Sequence, residues 1–341
     1  MIEHFNPLNH SVCLNTPQRL VFPNSWVTHI PFAMYLMSAL RPSIFVELGT
    51  HTGNSYCGFC QAVATLNLES KCFAVDTWEG DEHAGFYGSE VFEDLSNYHN
   101  PKYSAFSRLI KMTFDEAKDY FSDHSISLLH IDGLHTYEAI KHDFENWKQK
   151  LSQNAIVIIH DTNVRERGFG VWKYWEEISE VFPHFEFLHG NGLGILCMGQ
   201  PDQVGLADLF DPTNLEDIRA FFSCVGEQYN FPIEKGYLDQ LINEKDQITQ
   251  VRDQIIQEKD QIIQARDEAL ERHRLKLVLL ENQLCSNKSE TRKLETKYKN
   301  ETKLFQEELN EYKQEISAVC NSNSWKITRP FRKIMKYLRG I

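Results

Sequence analysis

Five short apolar runs constrain this chain more than any other feature: SIFVEL (Ser43–Leu48), CFAVD (Cys72–Asp76), SLLHID (Ser127–Asp132), AIVIIHD (Ala155–Asp161) and GILCM (Gly194–Met198). None alternates cleanly with polar residues, so each predicts a strand buried on both faces. Between them lie stretches of helical spacing such as HTYEAIKHDFENWKQKL (His135–Leu151). Strands alternating with helices require right-handed crossovers. The expected fold class is therefore α/β: a Rossmann-like, mostly parallel sheet with helices on both faces. Residues 1–41 supply an opening helix, and FPHFEFLHGNGLGILCM (Phe182–Met198) reads as a closing antiparallel hairpin.

After residue 200 the chemistry of the sequence changes. Residues 201–237 read as a helical extension, and from Leu238 glycine and proline almost vanish. There Ile248, Ile255, Ile262 and Ala269 recur every seven residues, with Val251 and Ala265 between them. Asp246, Asp253, Asp260 and Asp267 keep the same beat on the outside. A sustained heptad predicts a C-terminal α-helical coiled coil over 238–318, and hence a homo-oligomer, weakened where Glu258 interrupts the seam. The last segment, 319–341, carries Lys326, Arg329, Arg332, Lys333, Lys336 and Arg339 with no acid, among Trp325, Ile327, Phe331, Ile334, Met335 and Leu338. That mixture suits either a basic amphipathic helix on an anionic membrane surface or a tail that docks on a partner.

A net charge of −13 excludes a broad nucleic-acid-binding face. The eight scattered cysteines, with no signal peptide at the start, point to free thiols in a reducing cytoplasm. The Cys57–Cys60 pair has no second pair to complete a zinc site, so packing is expected of it. No apolar run is long enough to span a bilayer, which leaves peripheral contact at the inner face of the membrane as the alternative to a purely cytoplasmic location.

The turn VELGTHTGNS (Val46–Ser55) joins a strand to a helix through Gly49 and Gly53. Such an edge binds nucleotides at the carboxyl end of a parallel sheet. His51 occupies the middle position of a G-x-G-x-x-G fingerprint, which disfavours a pyrophosphate cradle and favours an adenosyl cofactor. Asp76, at the tip of the second strand, is placed to accept from two ribose hydroxyls. Asp132 and Asp161 end the next two strands and emerge at the same edge, where they suit a divalent cation such as Mg²⁺. His160 is a further candidate ligand, although as the strand neighbour of Asp161 it would point the other way; Asn163 is an alternative oxygen donor. His135, three residues beyond Asp132, is placed to take a proton from an acceptor hydroxyl, or else to cap the helix that follows. Arg165 and Arg167 follow the last acidic strand and could grip an anionic substrate group. Trp172, Tyr174 and Trp175 suit either a sugar face or the core.

Three blocks, VELGTHTGNS, FAVDTWEG and LLHIDGLHTYEAIKHDFENWKQKLSQNAIVIIHDT, carry a resemblance over residues 44–198. They resemble class I S-adenosylmethionine-dependent methyltransferases, of the branch with macrolide-sugar O-methyltransferases and cephalosporin-hydroxylase-like proteins. The resemblance implies a cofactor pocket lined by Glu47, Gly49 and Gly53, with Thr50 and Asn54 on the same turn. It implies that Asp76 holds the ribose, with Thr77 and Trp78 beside it, and that Asp132, Asp161 and His160 hold the metal, His135 acts as base and Tyr137 touches substrate. Gln153 and Asn154 replace a glycine pair of the family, and Leu134 stands where an acidic or small residue is common. SNSWKITRPFRKI (Ser322–Ile334) resembles a tail found after coiled coils in bacterial surface-polysaccharide assembly, often fused to glycosyltransferases. Together these imply methylation of a sugar of a surface glycan or its lipid-linked or nucleotide precursor, with glycosyltransferases as partners. A NAD-dependent oxidoreductase of similar topology and a non-catalytic coiled-coil scaffold are the alternatives.

Overall fold

A computed structural model describes residues 5–201, 206–286, 294, 296–315 and 317–318. In chain order the elements are α1 (Ile30–Leu40), β1 (Ile44–Leu48), α2 (Asn54–Leu66), β2 (Lys71–Asp76), the two-residue strands β3 (Gly80–Asp81) and β4 (Gly85–Phe86), α3 (Ser89–Tyr103) and β5 (Ser107–Lys111). There follow α4 (Phe114–Lys118), β6 (Ile126–Ile131), α5 (Tyr137–Trp147), β7 (Leu151–His160), α6 (Val171–Ser179), β8 (His184–Phe187), β9 (Leu193–Cys197), α7 (Ala207–Phe210) and α8 (Leu215–Ser286).

Seven strands form one sheet in the order β5-β2-β1-β6-β7-β9-β8. β9 alone runs against its neighbours, pairing antiparallel with β7 and with β8. The order reverses between β1 and β6, so the ligand crevice is expected outside the carboxyl ends of those strands. The α/β expectation holds, closing hairpin included. The strand missing from the sequence reading is β5, which reads SRLIK and buries only Ser107 fully. At the sheet edge a strand can alternate with polar residues, so it shows no continuous apolar run.

Alternation along each strand feeds two apolar layers. Phe45, Leu128, Ile156 and Ile158 pack with Phe32 of α1 and Phe59 of α2. Val46, Leu129, Val157 and Ile159 pack on the other side with Phe144 and Trp147 of α5 and Trp175 and Ile178 of α6. Burying each such aliphatic or phenyl side chain contributes about 1.5–3 kcal/mol. Tyr174 and Trp175 are thereby core residues, as are Cys57 and Cys60, and Cys13, Cys57, Cys60, Cys72, Cys197 and Cys224 are free thiols.

The chain divides into two compact units, Met1–Tyr237 and Leu238–Ile341. α8 runs unbroken from Leu215, so the helical extension and the first part of the heptad region are one helix. Its start belongs to the first unit: Ile218 and Phe222 are buried there, and Gly226 sits so close to Thr28 that a Cβ would lie 2.0 Å from the Thr28 carbonyl oxygen. In the second unit, residues 296–315 are helical and run antiparallel to α8. Arg266 lies 3.7 Å over the Tyr312 ring, and His273 stands 5.2 Å from Phe305. Heptad spacing alone does not distinguish this return within one chain from pairing between chains. Val251 and Ile262 of the seam are about half exposed, at 49% and 56%. No helix among the described residues is long and apolar enough to cross a membrane. The basic tail of residues 319–341 lies outside the described residues.

Candidate active site

Four turns meet at the carboxyl edge of the sheet. After β1 the backbone enters the left-handed region at Gly49, φ 85°, where a Cβ would lie 2.0 Å from the Asp132 carbonyl oxygen. Only glycine fits there. Gly53, φ 81°, stands at the N-cap of α2 with no side-chain cap, which leaves the first amides of that helix to an anion or to solvent. His51, φ 48°, adopts the same left-handed conformation and stacks on Tyr87 at 4.8 Å.

Asp76 reaches across to this turn. Its Oδ2 accepts from the amides of Thr50 at 2.8 Å and His51 at 2.9 Å, and its Oδ1 accepts from the Trp78 amide at 2.7 Å. A carboxylate offers about four acceptor sites, so three are filled. Trp78, φ 50°, is buried and donates its indole N–H to the His51 carbonyl at 3.0 Å; Thr77 lies between it and Asp76. Thr50 is buried with its hydroxyl unpartnered among the described residues. Asn54 is engaged elsewhere: its amide donates to the carbonyls of Val21 at 2.7 Å and Pro23 at 3.0 Å, and its Oδ1 accepts from the Val21 amide at 3.0 Å. Arg19 straps the same segment down through the Thr52 carbonyl at 2.7 Å and Asp94 at 2.6 Å. Glu47 is fully buried and bonded to His130, a partner that sequence spacing does not reveal.

The acidic half of the edge is built from side chains. His135 Nε2 lies 2.8 Å from Asp161 Oδ2 and 3.5 Å from Asp132 Oδ1. His160 Nδ1 lies 3.3 Å from Asp132 Oδ1 and 3.5 Å from Asp161 Oδ2. Strand alternation thus misdirects His160: β7 ends at that residue, and Asp161 turns out of the strand at φ 61°, which brings both side chains to one place. Burial alone would lower the His135 pKa, but hydrogen bonds to Asp132 and Asp161 raise it to about 9. His160 is likewise raised by the same two carboxylates against its burial. Burial opposes ionisation of Asp132 and Asp161, yet the facing histidines hold both well below the usual carboxylate range.

These residues fit a divalent cation. One ligand atom each from Asp132, His135 and Asp161 lies within 4.8 Å of the others. Asp161 Oδ1 and His135 Nδ1 are buried without a partner among the described residues. His160 Nε2 bonds the Gly190 carbonyl at 3.1 Å, which fixes the tautomer and turns Nδ1 toward the carboxylates, as the outer partner of a metal-ligating histidine does. His29 Nε2 shares that carbonyl at 3.0 Å. Gly190 is therefore part of the site, though in the sequence it is one glycine of a hairpin turn.

The surrounding loops close over this cluster. Phe169 stacks on His135 at 4.5 Å, and His83, from the β3–β4 turn, stacks on Phe169 at 4.6 Å. Neither was legible as a site residue, because no spacing rule links the two loops. Arg165 pairs with Glu176 at 3.7 Å and lies 4.6 Å over Trp172, while Arg167 lies 4.9 Å over Phe169. Tyr137 donates its hydroxyl to Glu177 at 2.9 Å and so is held by α6 rather than by the acidic cluster. Asn163 donates to the Leu188 carbonyl at 3.1 Å.

With this geometry in view, residues 46–162 match the family model described as a methyltransferase domain. An uncharacterized protein of Sinorhizobium fredii, y4gI, is 48% identical over 223 residues, which are 64% of this chain and 24% of the relative. The chain thus spans about a quarter of that protein's length. Among solved structures, a methyltransferase of Geobacter sulfurreducens aligns with 50% of this chain and 78% of its own at 16% identity and a TM-score of 0.39. The SAH-bound methyltransferase PaMTH1 of Podospora anserina aligns with 49% of this chain and 76% of its own at 10% identity and a TM-score of 0.39. The strand order described above, rather than these likenesses, carries the fold.

Proposed function

We propose that this chain transfers a methyl group from S-adenosylmethionine to a sugar hydroxyl, assisted by a divalent cation. The observation that carries the reading is the meeting of Asp132, His135, Asp161 and His160 beside the glycine turn of a methyltransferase domain. The turn at Gly49 and Gly53 receives the donor, and the acidic half of the edge receives the acceptor. Displacement at a sulfonium methyl needs the two reactants in line, so positioning supplies most of the rate. His135 Nε2 is placed to take the acceptor proton. That nitrogen must first be unprotonated, and the two bare carboxylates oppose this. A divalent cation held by Asp132, Asp161 and His160 would neutralise them and favour the alkoxide. Two carboxylates with imidazole nitrogens suit Mn²⁺ as well as the Mg²⁺ expected from oxygen donors alone.

The sugar class rests on the resemblances of the three blocks and of the tail around Trp325. The same reading places the heptads in a homo-oligomer and the tail at an anionic membrane or a glycosyltransferase partner. Titration calorimetry with S-adenosylhomocysteine and with NAD decides the cofactor. Binding of the first alone is expected; binding of NAD alone supports an oxidoreductase, and binding of neither a scaffold. Mass detection of an added methyl on the host's glycan intermediates, with Mg²⁺, Mn²⁺ or chelator, then tests acceptor and cation. Full activity in chelator overturns the cation role.

A further inference from the structure

Two histidines near the Gly190 carbonyl take no part in the acidic cluster: His29, which closes the turn before α1, and His189, two residues past β8. Their ring centres lie 4.6 Å apart, with the rings tilted by 34°. Burial pushes the His29 pKa well below its ordinary value and that of His189 down to about 4, so both rings are neutral. A carbonyl only accepts, so the proton of His29 sits on Nε2, which donates to Gly190 at 3.0 Å. Its Nδ1 is left with a bare lone pair. That atom is buried without a partner among the described residues, and so is Nε2 of His189. The Trp26 indole, 5.6 Å from the His29 ring, does not serve them, because its one N–H donates to His130 Nε2 at 3.1 Å. The Thr28 hydroxyl is a third buried group with no partner among the described residues, and a Cβ on Gly190 would collide with it and with His29 Nε2.

Buried polar atoms are costly to leave unmatched. One metal ion would match both nitrogens, since two imidazoles sharing an ion at about 2.0–2.1 Å per nitrogen have ring centres about 5 Å apart. His29 also carries the mark of a metal-ligating histidine, its other nitrogen being held by a backbone carbonyl. Imidazole donors select a borderline ion such as Zn²⁺ over Mg²⁺. We propose that His29 Nδ1 and His189 Nε2 hold a Zn²⁺ ion, with the Thr28 hydroxyl and water completing its shell, as a site separate from the acidic cluster. The ion ties the turn before α1 to the turn after β8, and so clamps the Gly190 carbonyl on which His160 rests.

This site stands apart from the methyltransferase reading, and the test keeps it apart. The full chain with Asp161→Asn, which disables the acidic cluster, is titrated with Zn²⁺ by calorimetry, and X-ray absorption of the bound ion identifies its neighbours. One Zn²⁺ per chain, with imidazole and oxygen neighbours and no sulfur, is expected. Adding His29→Gln keeps an N–H for the Gly190 carbonyl but removes the bare nitrogen, and adding His189→Phe keeps a ring but removes both nitrogens. Each should weaken Zn²⁺ about a hundredfold or more, since even the outer partner of a ligand is worth about 10–100-fold. Zn²⁺ should also raise the urea midpoint of the Asp161→Asn chain and leave that of either histidine variant where it was. If His29→Gln does not fold, His189→Phe at the more exposed position decides alone. Sulfur neighbours would assign the ion to the free thiols and overturn the proposal, as would unchanged affinity in His189→Phe. Absence of Zn²⁺ binding by the Asp161→Asn chain would overturn it too, leaving the two nitrogens to an ordered water.

Discussion

The two halves of the sheet's carboxyl edge hold their carboxylates by different means. Between β1 and β2, Asp76 is fixed by three backbone amides, and two glycines in left-handed conformations shape the turn. Between β6 and β7, Asp132 and Asp161 face two imidazoles whose charge depends on pH. Amides do not titrate, so the first half is a fixed mould. The second half is a poised electrostatic cluster, whose charge depends on what occupies it.

The largest effect is expected where the mould cannot give. Gly49→Ala places a Cβ on the Asp132 carbonyl at a strained φ, and should destabilise the protein by about 2–4 kcal/mol, read as a lower urea midpoint. A midpoint equal to wild type would show that the turn is more pliable than described. Next comes Asp161→Asn, which should weaken Mn²⁺ or Mg²⁺ about a hundredfold or more while S-adenosylhomocysteine affinity changes less than about threefold. Parallel loss of both would erase the distinction between the halves.

Taken per pH unit, the pH response is the smallest effect, and it is the sharpest test. A cation held by the two carboxylates repels a protonated His135, which is held at about 9 without a cation. Cation affinity should therefore rise by up to about tenfold per pH unit from about 6.5 to about 9. Between pH 6 and 8, S-adenosylhomocysteine affinity should stay within about twofold, because the amides around Asp76 keep their protons. The stability sign is opposite to that of cation binding. A raised histidine stabilises the cation-free fold fully below its unfolded pKa of about 6.5, and that contribution disappears as pH rises through about 9. Urea midpoints in chelator should fall across that window; a rise would mean that the two histidines are not paired as described.

The same division explains what the sequence made legible. β1, β2, β6, β7 and β9 announce themselves because a doubly covered strand must be continuously apolar, and Asp76, Asp132 and Asp161 are found by their place at strand ends. β5 is missed because an edge strand escapes that demand. His160 is misdirected because one left-handed residue, Asp161, cancels strand alternation. His130, Trp26, His83, Phe169 and Gly190 are invisible in advance, since each acts through a partner at least 30 residues away in the chain. Heptads show that a helix wants company but leave the partner's identity open, and here residues 296–315 supply part of it.

The closeness of Gly49 to Asp132 has a mechanical consequence. The Gly49 amide bonds the Val75 carbonyl at 2.9 Å, the Asp132 amide bonds the Leu48 carbonyl at 2.8 Å, and nothing larger than a hydrogen fits between the two turns. The glycine turn and the acidic cluster are thus milled from a single block. Neither can shift by the width of a methyl group without carrying the other along, so under the proposed function the separation between sulfur and attacking oxygen is set by the scaffold before either reactant arrives.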